Sequence, residues 1–327
     1  MSEHNPSSVN IIEWSVGDPA LDGLSLAAAI GNFDGVHLGH QKVIAAAVDA
    51  GKQANLQVAV ITFDPHPREF FRHDETPFHL ADRLEKDRLL SGLPIDYIIH
   101  VTFNDHLRRT DAESFVTSVL PQLGVRSLFA GADFAFGKGR GGDIDTINEL
   151  GKSVGVTAHA VPLLVDENTV TVSSSRVRAA LQAGHPDEAA EMLGHDWNVT
   201  GVVQKGDQRG RTIGFPTANI PLGMLQHPAF GVYAVQVFIV DASGTLNLLG
   251  NGVANIGVRP TVQNRGVLCE VHLFDREIDL YGQRLHIALK TFLRPEKKFS
   301  GLEELQAQIA IDAGAARAAL PDIQQSA

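Results

Sequence analysis

Residues 31–41 decide the fold of the first half of this chain, and they read Gly-Asn-Phe-Asp-Gly-Val-His-Leu-Gly-His-Gln. A short apolar run of strand length, Leu26–Ile30, comes before them. An Ala-rich segment, residues 42–50, comes after them and is followed by Gly51, where a helix can end. The stretch therefore lies at the point where a buried strand turns into a helix.

The residues of this stretch are suited to phosphate chemistry. Asp34-Gly35 is typical of a tight turn, because glycine takes positive φ without strain. His37 and His40 are three positions apart, so they share one face of the first helical turn. Gly39 between them has no side chain to keep a ligand from the backbone. Two imidazoles beside the free N–H groups of a helix N-terminus predict a phosphate site.

An isolated pair of histidines would more often be a surface or core feature, but the frame Gly-x-Phe-Asp-Gly-x-His-x-Gly-His favours a functional site. The string resembles the signature of the nucleotidyltransferase superfamily. This resemblance implies that His37 and His40 stabilise a transition state at the α-phosphate of ATP while pyrophosphate leaves. Class I aminoacyl-tRNA synthetases share His-x-Gly-His, but the chain has no Lys-Met-Ser-Lys-Ser string.

Size and composition narrow the class of protein. A length of 327 residues predicts about two domains, and 44% hydrophobic content is typical of well-cored globular domains. The net charge of −11 argues against a nucleic-acid or anionic-membrane surface, which needs clustered Lys and Arg. Cys269 is the single cysteine, so an intrachain disulfide is excluded. With no leader-like or membrane-length apolar run, we expect a cytoplasmic protein.

Strand and helix patterns alternate through the first half. Further predicted strands cover residues 57–63, 95–101, 126–130 and 157–161, and predicted helices cover residues 80–90, 111–120 and 147–153. This alternation predicts an α/β doubly wound parallel sheet of the Rossmann-like kind.

Candidate ligand-binding residues follow two of these strands, at the ends where open α/β sheets bind ligands. Asp64 and His66 come after the first, in a loop stiffened by two prolines, although a plain rigid turn is the alternative. Asp133 is the third residue of a glycine-rich segment, residues 131–143, that fails the P-loop pattern because Gly139 stands where Ser or Thr is required. A mobile loop over a ligand fits this segment better, and a flexible surface hairpin is the alternative.

A serine–arginine helix start follows, in residues 172–181. The serines are explained by an N-cap, but Arg176 in the first turn opposes the helix dipole unless it meets an anion. We therefore expect Ser174, Arg176 and Arg178 to face phosphates. The domain boundary is predicted near residue 187, which gives domains of residues 1–186 and 187–327.

The second half changes to short β-rich runs separated by turn signals, which predicts a small antiparallel β-barrel. The predicted strands cover residues 197–204, 231–240, 246–255, 267–274 and 285–292. A C-terminal helix is predicted over residues 300–311, with Ser300 as N-cap and Glu303 as its capping-box partner, and the tail after Ala315 is expected to fray.

Residues 206–219 dominate this half and resemble the Gly-Arg-x-x-Gly-Phe-Pro-Thr-Ala-Asn signature of riboflavin kinases. The hydroxyl of Thr217 and the amide oxygen of Asn219 suit a magnesium shell, which takes oxygen ligands and nucleotide phosphates. A second string, residues 252–261, also resembles that family, with Val258 where Thr is expected. The resemblance implies a set of residues that bind ATP and riboflavin, namely Gly206, Arg211, Gly214, Pro216, Asn255 and Arg259.

Glu270 lies in an otherwise apolar predicted strand. A carboxylate that projects into a barrel mouth can act as a general base, and the matching glutamate of the family takes the proton from the riboflavin 5′-hydroxyl. A solvent-facing charge on an alternating strand is the alternative.

The two halves together resemble the prokaryotic bifunctional riboflavin kinase/FAD synthetase family. The resemblance implies that ATP with Mg²⁺ phosphorylates riboflavin to FMN in the barrel, and that a second ATP adenylylates FMN to FAD in the first domain. Alternatives are that one half is idle, or that the chain is a flavin- or nucleotide-binding regulator. The oligomeric state is left open. In the first domain the resemblance carries over a set of positions, namely Asn32, Asp34, His37, Gly39, His40, Asp64, His66, Asp133, Ser174, Arg176 and Arg178.

Overall fold

The computed structural model describes residues 9–71, 77–167, 169–205, 215–242, 244–258, 266–276 and 278–321. The chain divides into two compact units. The sheet unit comprises residues 1–75 and 86–172, and the barrel unit comprises residues 76–85 and 173–327. The functional boundary near residue 187 stays a prediction, because compactness of packing does not test where an activity begins.

A six-stranded parallel sheet forms the centre of the sheet unit. Its strands, in the spatial order β1-β4-β3-β2-β5-β6, confirm the doubly wound prediction. The strands are β1 (Asn10–Trp14), β2 (Leu26–Ile30), β3 (Gln57–Asp64), β4 (Tyr97–Thr102), β5 (Val125–Gly131) and β6 (Thr157–Val161). The short edge strand β1 has no counterpart in the predicted strands, because its five residues include the polar Asn10 and the charged Glu13.

Helices connect these strands, as parallel pairing requires. They are α1 (Leu38–Ala54), α2 (Pro67–Phe71), α3 (Arg83–Ser91), α4 (Asp105–Arg109), α5 (Ala112–Ser114), α6 (Leu120–Gln122) and α7 (Ile144–Leu150). The predicted helix over residues 111–120 is in fact α5 and α6 joined by a π-helical turn at Phe115–Val119. The first three residues of α3 are grouped with the barrel unit.

The core of the sheet unit lies on both faces of the sheet. Side chains such as Ile61 and Ile99 pack with Phe115 on one face, while Val60 and Ile98 face the other. Strand β2 is buried along its whole length, at 0–2% exposure, which explains its uniformly apolar sequence. Helix α1 approaches closely, since a Cβ added at Gly51 would lie 2.7 Å from Val58. This close packing holds the C-terminal part of α1 against β3.

Six antiparallel strands form the barrel unit, in the order β7-β12-β9-β10-β11-β8. A bridge between Gln204 and Asn219 joins the two ends of this order, so the sheet closes into the predicted small barrel. The strands are β7 (Asn198–Val202), β8 (Ala218–Pro221), β9 (Gly231–Val240), β10 (Leu246–Val258), β11 (Val267–Leu273) and β12 (Arg284–Pro295). The unit also contains helices α8 (Ser174–Ala183), α9 (Pro186–Leu193) and α10 (Leu302–Ala319).

The start and end of α10 differ from the prediction. Its N-cap is Gly301 rather than Ser300, and Glu304 rather than Glu303 accepts hydrogen bonds from the Ser300 N–H (2.9 Å) and hydroxyl (2.8 Å). The helix continues to Ala319 instead of fraying after Ala315. The reason is packing, because Ala316 is fully buried against the outer side of the barrel.

Candidate active sites

The turn between β2 and α1 is held in an unusual backbone conformation. Phe33 and Val36 have φ of 49° and 43°, in the left-handed region that non-glycine residues rarely adopt. Gly35 takes φ of 77° between them. The strained residues are anchored because Phe33 and Val36 are 1% and 2% exposed and pack in the core. Burial of these two side chains thus offsets the backbone strain.

His37 is the N-cap of α1 and uses its ring to close the helix end. The backbone N–H of His40 donates to Nδ1 of His37 over 3.2 Å. Because Nδ1 accepts, a neutral His37 carries its proton on Nε2 and offers it as a donor. The two rings stack, with centroids 3.5 Å apart and planes at 15°. The structure therefore brings His37 and His40 together as predicted.

Gly39 lies close against the His37 ring. A Cβ added at Gly39 would lie 3.1 Å from both Cε1 and Nδ1 of His37 and 3.5 Å from the carbonyl oxygen of Val172. A side chain at this position would push the imidazole away from its capping geometry. The glycine thus preserves the ring position, in addition to leaving the backbone accessible.

Three neighbouring strands deliver the other predicted residues of the sheet unit to the same edge. Strand β2 lies between β3 and β5, and all three are parallel. Asp64 ends β3. Asp133 follows β5, and its carboxylate folds back beside Gly131, the last residue of that strand, where an added Cβ would lie 2.9 Å from one carboxylate oxygen. Asn32 is exposed and Asp34 is 4% exposed in the turn itself. The carboxyl edge of the sheet is therefore the candidate nucleotide site.

His66 repeats the hydrogen bonding of His37. Its Nδ1 accepts from the backbone N–H of Arg68 over 3.0 Å, and its carbonyl accepts from Glu69 and Phe70 at the start of α2. A neutral His66 therefore also offers Nε2–H as a donor.

The glycine-rich segment after β5 contains a hydrogen-bonded hairpin. Phe136 and Gly142 exchange two backbone hydrogen bonds of 3.0 Å, and Lys138–Arg140 forms a short 3₁₀ turn between them. The choice between a loop over a ligand and a surface hairpin without such a role stays open, because this hydrogen bonding fits both.

Ser174, Arg176 and Arg178 lie on the first turns of α8, and the structure groups them with the barrel unit. Ser173 is the N-cap and accepts from the N–H of Arg176 over 3.4 Å. Arg178 donates from Nε to the carbonyl of Phe78 (2.7 Å) and lies 5.7 Å from the centre of its ring. A role of these residues at the first site stays a prediction.

A row of three polar residues crosses three strands of the barrel. Glu270 on β11 is directly paired with Asn219 on β8 and with Asn255 on β10. Directly paired residues of antiparallel strands project from the same face. The structure thus brings together three predicted site residues, and strand β8, which the sequence analysis missed, supplies one of them.

This row lies on the face opposite the barrel core. The alternate residues Ile220, Ile256 and Cys269 are all 0% exposed. Glu270 therefore projects outward, and not into a barrel mouth as expected. On the same outer face, Val253 and Phe274 pack with residues of α10. The candidate kinase site is accordingly an outer-face site beside the terminal helix.

The start of β8 is attached to β11 beside this row. Nδ1 of His272 donates to the carbonyl of Pro216 over 3.0 Å, and its ring meets Phe215 edge-on at 5.2 Å. Thr217 lies between Pro216 and β8, two positions before Asn219. The remaining predicted members of this site, Gly206, Arg211, Gly214 and Arg259, lie outside the described residues.

The residues present fit a magnesium ion bound with a nucleotide. Thr217 and Asn219 offer a hydroxyl and an amide oxygen, and Glu270 offers carboxylate oxygens in the same row. Mg²⁺ prefers such oxygen ligands and takes the rest from phosphates and water. In the part of the chain that the structure describes, no group of three or more His, Cys, Asp or Glu residues could hold a metal alone.

Cys269 lies next to Glu270 in sequence but points into the core. Burial, and then the neighbouring Glu270 charge, raise the pKa of its thiol well above the ordinary range. A thiol with a raised pKa is a poor nucleophile. Cys269 is therefore a core residue of the barrel and not a reactive one.

Two family models match the chain. The FAD synthetase model matches residues 23–176, and the riboflavin kinase model matches residues 193–320. The chain is 41% identical to the bifunctional riboflavin kinase/FMN adenylyltransferase of Escherichia coli (strain K12) over 88% of this chain and 90% of that protein. It is 40% identical to the protein of the same name from Pseudomonas fluorescens over 89% of this chain and 92% of that one.

Among solved structures, one from Streptococcus pneumoniae, titled as a macrolide-efflux protein, has a TM-score of 0.82 and 27% identity. The match covers 94% of this chain and 99% of that chain. Within the described residues, no helix is both long and apolar enough to cross a membrane.

Proposed function

This chain belongs to the family of bifunctional riboflavin kinases/FMN adenylyltransferases, and we propose that it carries the two reactions at two separate sites. It phosphorylates riboflavin to FMN with ATP, and it adenylylates FMN to FAD with a second ATP, releasing pyrophosphate. The observation that carries the two-site proposal is that the chain holds a stacked histidine pair in the sheet unit and an Asn–Glu–Asn row in the barrel unit.

At the sheet-unit site, an oxygen of the FMN phosphate attacks the α-phosphorus of ATP, and the bond to the pyrophosphate oxygen breaks. The attacking oxygen is already charged, so no protein nucleophile is needed. Negative charge grows on the α-phosphate oxygens, and donors fixed in advance stabilise it. The Nε2–H of His37, the stacked His40 and the amides at the start of α1 support this role. We assign substrate contacts to Asn32, Asp34, Gly39, Asp64, His66, Asp133, Ser174, Arg176 and Arg178.

At the barrel-unit site, the 5′-hydroxyl of riboflavin attacks the γ-phosphorus of ATP, and ADP leaves. We assign Glu270 to accept the hydroxyl proton, because its carboxylate lies in the row between Asn219 and Asn255. In phosphoryl transfer most of the rate comes from positioning and charge neutralisation, so the paired strands that fix this row support the assignment. Gly206, Arg211, Gly214, Pro216, Asn255 and Arg259 are assigned to binding.

We propose Thr217 and Asn219 as the protein ligands of Mg²⁺ at this site. The ion supplies neutralisation of phosphate charge when it is bound with ATP. Asn219 suits a ligand role because it is only 7% exposed and its backbone is fixed from both sides, by Glu270 and by Gln204. Its amide is therefore held in position before the nucleotide arrives.

The experiment that tests the proposal is product analysis by chromatography. The purified chain is given MgATP with riboflavin in one mixture and MgATP with FMN in another. FAD from both, with FMN as an intermediate in the first, supports two active sites. FMN as the end product would mean an idle sheet unit, FAD from FMN alone would mean an idle barrel unit, and no turnover would indicate a binding protein.

The substrates also bear on where the enzyme works in the cell. ATP serves as co-substrate in both steps, so we place the enzyme in the cytoplasm, and cell fractionation tests this. We do not assign this chain the efflux role that the name of the Streptococcus pneumoniae structure states, because both family models and the similar proteins named above agree on flavin chemistry.

A further inference from the structure

Thr62 is a fully buried polar residue of β3 that the sequence analysis did not single out. Its exposure is 0%, and it lies two positions before Asp64 on the strand. Its hydroxyl donates to the carbonyl oxygen of Asn32 over 3.1 Å. The same hydroxyl oxygen accepts from Nζ of Lys86, on α3, over 3.2 Å. The three groups form a directed chain from an ammonium through a hydroxyl to a backbone carbonyl.

The carbonyl at the end of this chain belongs to the strained turn. Asn32 immediately precedes Phe33, whose φ is 49°, and the turn ends at Val36, whose φ is 43°. A side-chain bond fixes each end, because Nε2 of Gln41 donates to the carbonyl of Val36 over 2.9 Å. The turn leads directly into the His37 cap, so displacement of either end would move the imidazoles.

The surroundings of Thr62 hold it in place. His100, on β4, is its register partner in the sheet and is 0% exposed. Nε2 of His100 lies 2.8 Å from a carboxylate oxygen of Asp87, which follows Lys86 on α3. Two successive residues of α3 are therefore tied to two adjacent strands. This arrangement limits the positions that the Lys86 ammonium can take.

We propose that Thr62 and Lys86 are positioning residues for FMN adenylylation, acting through the Asn32 carbonyl on the turn that aims His37 and His40. This role requires no contact with the reacting atoms. A charged donor polarises the hydroxyl that it meets, which strengthens the hydrogen bond that this hydroxyl donates. The inference rests on the assignment of adenylyl transfer to the His37–His40 site.

The test compares Thr62→Val, Thr62→Ser and Lys86→Met in the full-length chain, with kcat and KM measured for FMN adenylylation. We expect Thr62→Val to lower kcat about tenfold or more, because small displacements of aligned groups cost large factors in rate. KM for ATP and FMN should rise by less than kcat falls, since the histidines act in the transition state while Asn32 and Asp34 on the same turn are assigned to substrate binding. Thr62→Ser, which keeps the hydroxyl, should return kcat to within about twofold of the parent chain.

Thr117→Val is the matched control, because it removes a hydroxyl-to-carbonyl hydrogen bond of 2.8 Å (to Glu113) elsewhere in the same unit. It should leave kcat unchanged. Circular dichroism and the melting temperature of every variant report that the sheet unit has folded, because riboflavin phosphorylation reports on the barrel unit alone. If Thr62 and Lys86 act through one series of hydrogen bonds, the double variant Thr62→Val with Lys86→Met should lose no more kcat than Thr62→Val alone.

Several results would overturn the inference. They are full kcat in Thr62→Val with only a lowered melting temperature, a rise in KM with kcat unchanged, failure of Thr62→Ser to restore kcat, or parental kcat in Lys86→Met. If Thr62→Val does not fold, Thr62→Ser and Lys86→Met decide alone. If His40→Ala keeps full FAD formation, the site assignment itself fails; if it loses FAD formation while Thr62→Val does not, only the present inference fails.

Discussion

The two units of this enzyme hold their polar groups by different means. In the sheet unit, the histidines lie at a strained turn and a helix start, and their positions depend on φ angles, on Gly39 and on single side-chain hydrogen bonds. In the barrel unit, Asn219, Glu270 and Asn255 lie in one row of paired strands. A turn can be disturbed locally, whereas a row changes only with strand register. The first site should therefore be the more sensitive to small backbone changes.

The largest effect is expected for His40→Ala. Loss of one preorganised donor at a developing charge costs on the order of 10²–10³-fold in rate. FAD formation from FMN and MgATP should fall by that factor, while riboflavin phosphorylation by the same preparation stays at the parental rate. Equal loss of both activities would contradict the separation into two sites.

Glu270→Gln is the reciprocal change. It replaces the carboxylate by an amide of similar size and so removes the proton acceptor, and riboflavin phosphorylation should fall by on the order of 10²-fold. Adenylylation of supplied FMN, measured in parallel, is the control and should be unaffected. Parental kinase activity in this variant would remove Glu270 from the mechanism and return it to the alternative of a surface charge.

A glycine pair sharpens the comparison further. Gly39→Ala adds a Cβ 3.1 Å from the His37 ring, and we expect FMN adenylylation to fall on the order of tenfold as the ring is displaced. Gly314→Ala is the matched control on α10, where an added Cβ meets nothing within 4 Å. Helix propensity alone should make that variant more stable, by up to about 1 kcal/mol.

Thermal unfolding and product assays on both glycine variants separate the two effects. Unchanged adenylylation in Gly39→Ala would mean that the His37 ring position tolerates movement. The turn site would then be no more sensitive than the strand site.

The smallest effect concerns pH and the first turn of α10. The Ser300 N–H, then its hydroxyl and Lys297, lower the pKa of Glu304 from 4.5 to about 2. A carboxyl whose pKa is lowered by folding stabilises the fold above its unfolded pKa and loses that contribution as pH falls through the folded value. The stability difference between the parent chain and Glu304→Gln should therefore shrink between about pH 4.5 and pH 2.

The measurement is the melting temperature of both proteins across that range. Glu303→Gln, which removes one negative charge from the same turn, is the control for a general charge effect. A constant difference between the parent chain and Glu304→Gln across the range would show that the Ser300–Glu304 contact does not stabilise α10.

The sequence allowed the order of strands and helices to be predicted in the sheet unit, since buried parallel strands and Ala-rich helices have distinct patterns. It did not reveal β1, which is only five residues long and includes the charged Glu13, or β8, whose four residues give no periodicity. The His37–His40 pair was predictable because helical spacing alone puts both on one face. The outward direction of Glu270 was not predictable, because the alternation of apolar and polar residues identifies two faces of a strand without saying which one the core occupies.

Two further features could not have been read from the sequence. The Thr62–Asn32 bond joins residues 30 positions apart, and nothing local to Thr62 marks it. The N-cap of α10 was missed by one residue because Ser300 bonds to Glu304 from outside the helix. Both depend on tertiary geometry.

The burial of Cys269 has a practical consequence for spectroscopy. Since the chain's single thiol is inaccessible and has a raised pKa, maleimide dyes should leave the parent protein unlabelled. Two cysteines introduced at exposed positions, one in each unit, can then carry a donor and an acceptor fluorophore without replacement of the native residue. Single-molecule energy transfer between the two fluorophores would follow the distance between the labelled positions during riboflavin phosphorylation and FMN adenylylation.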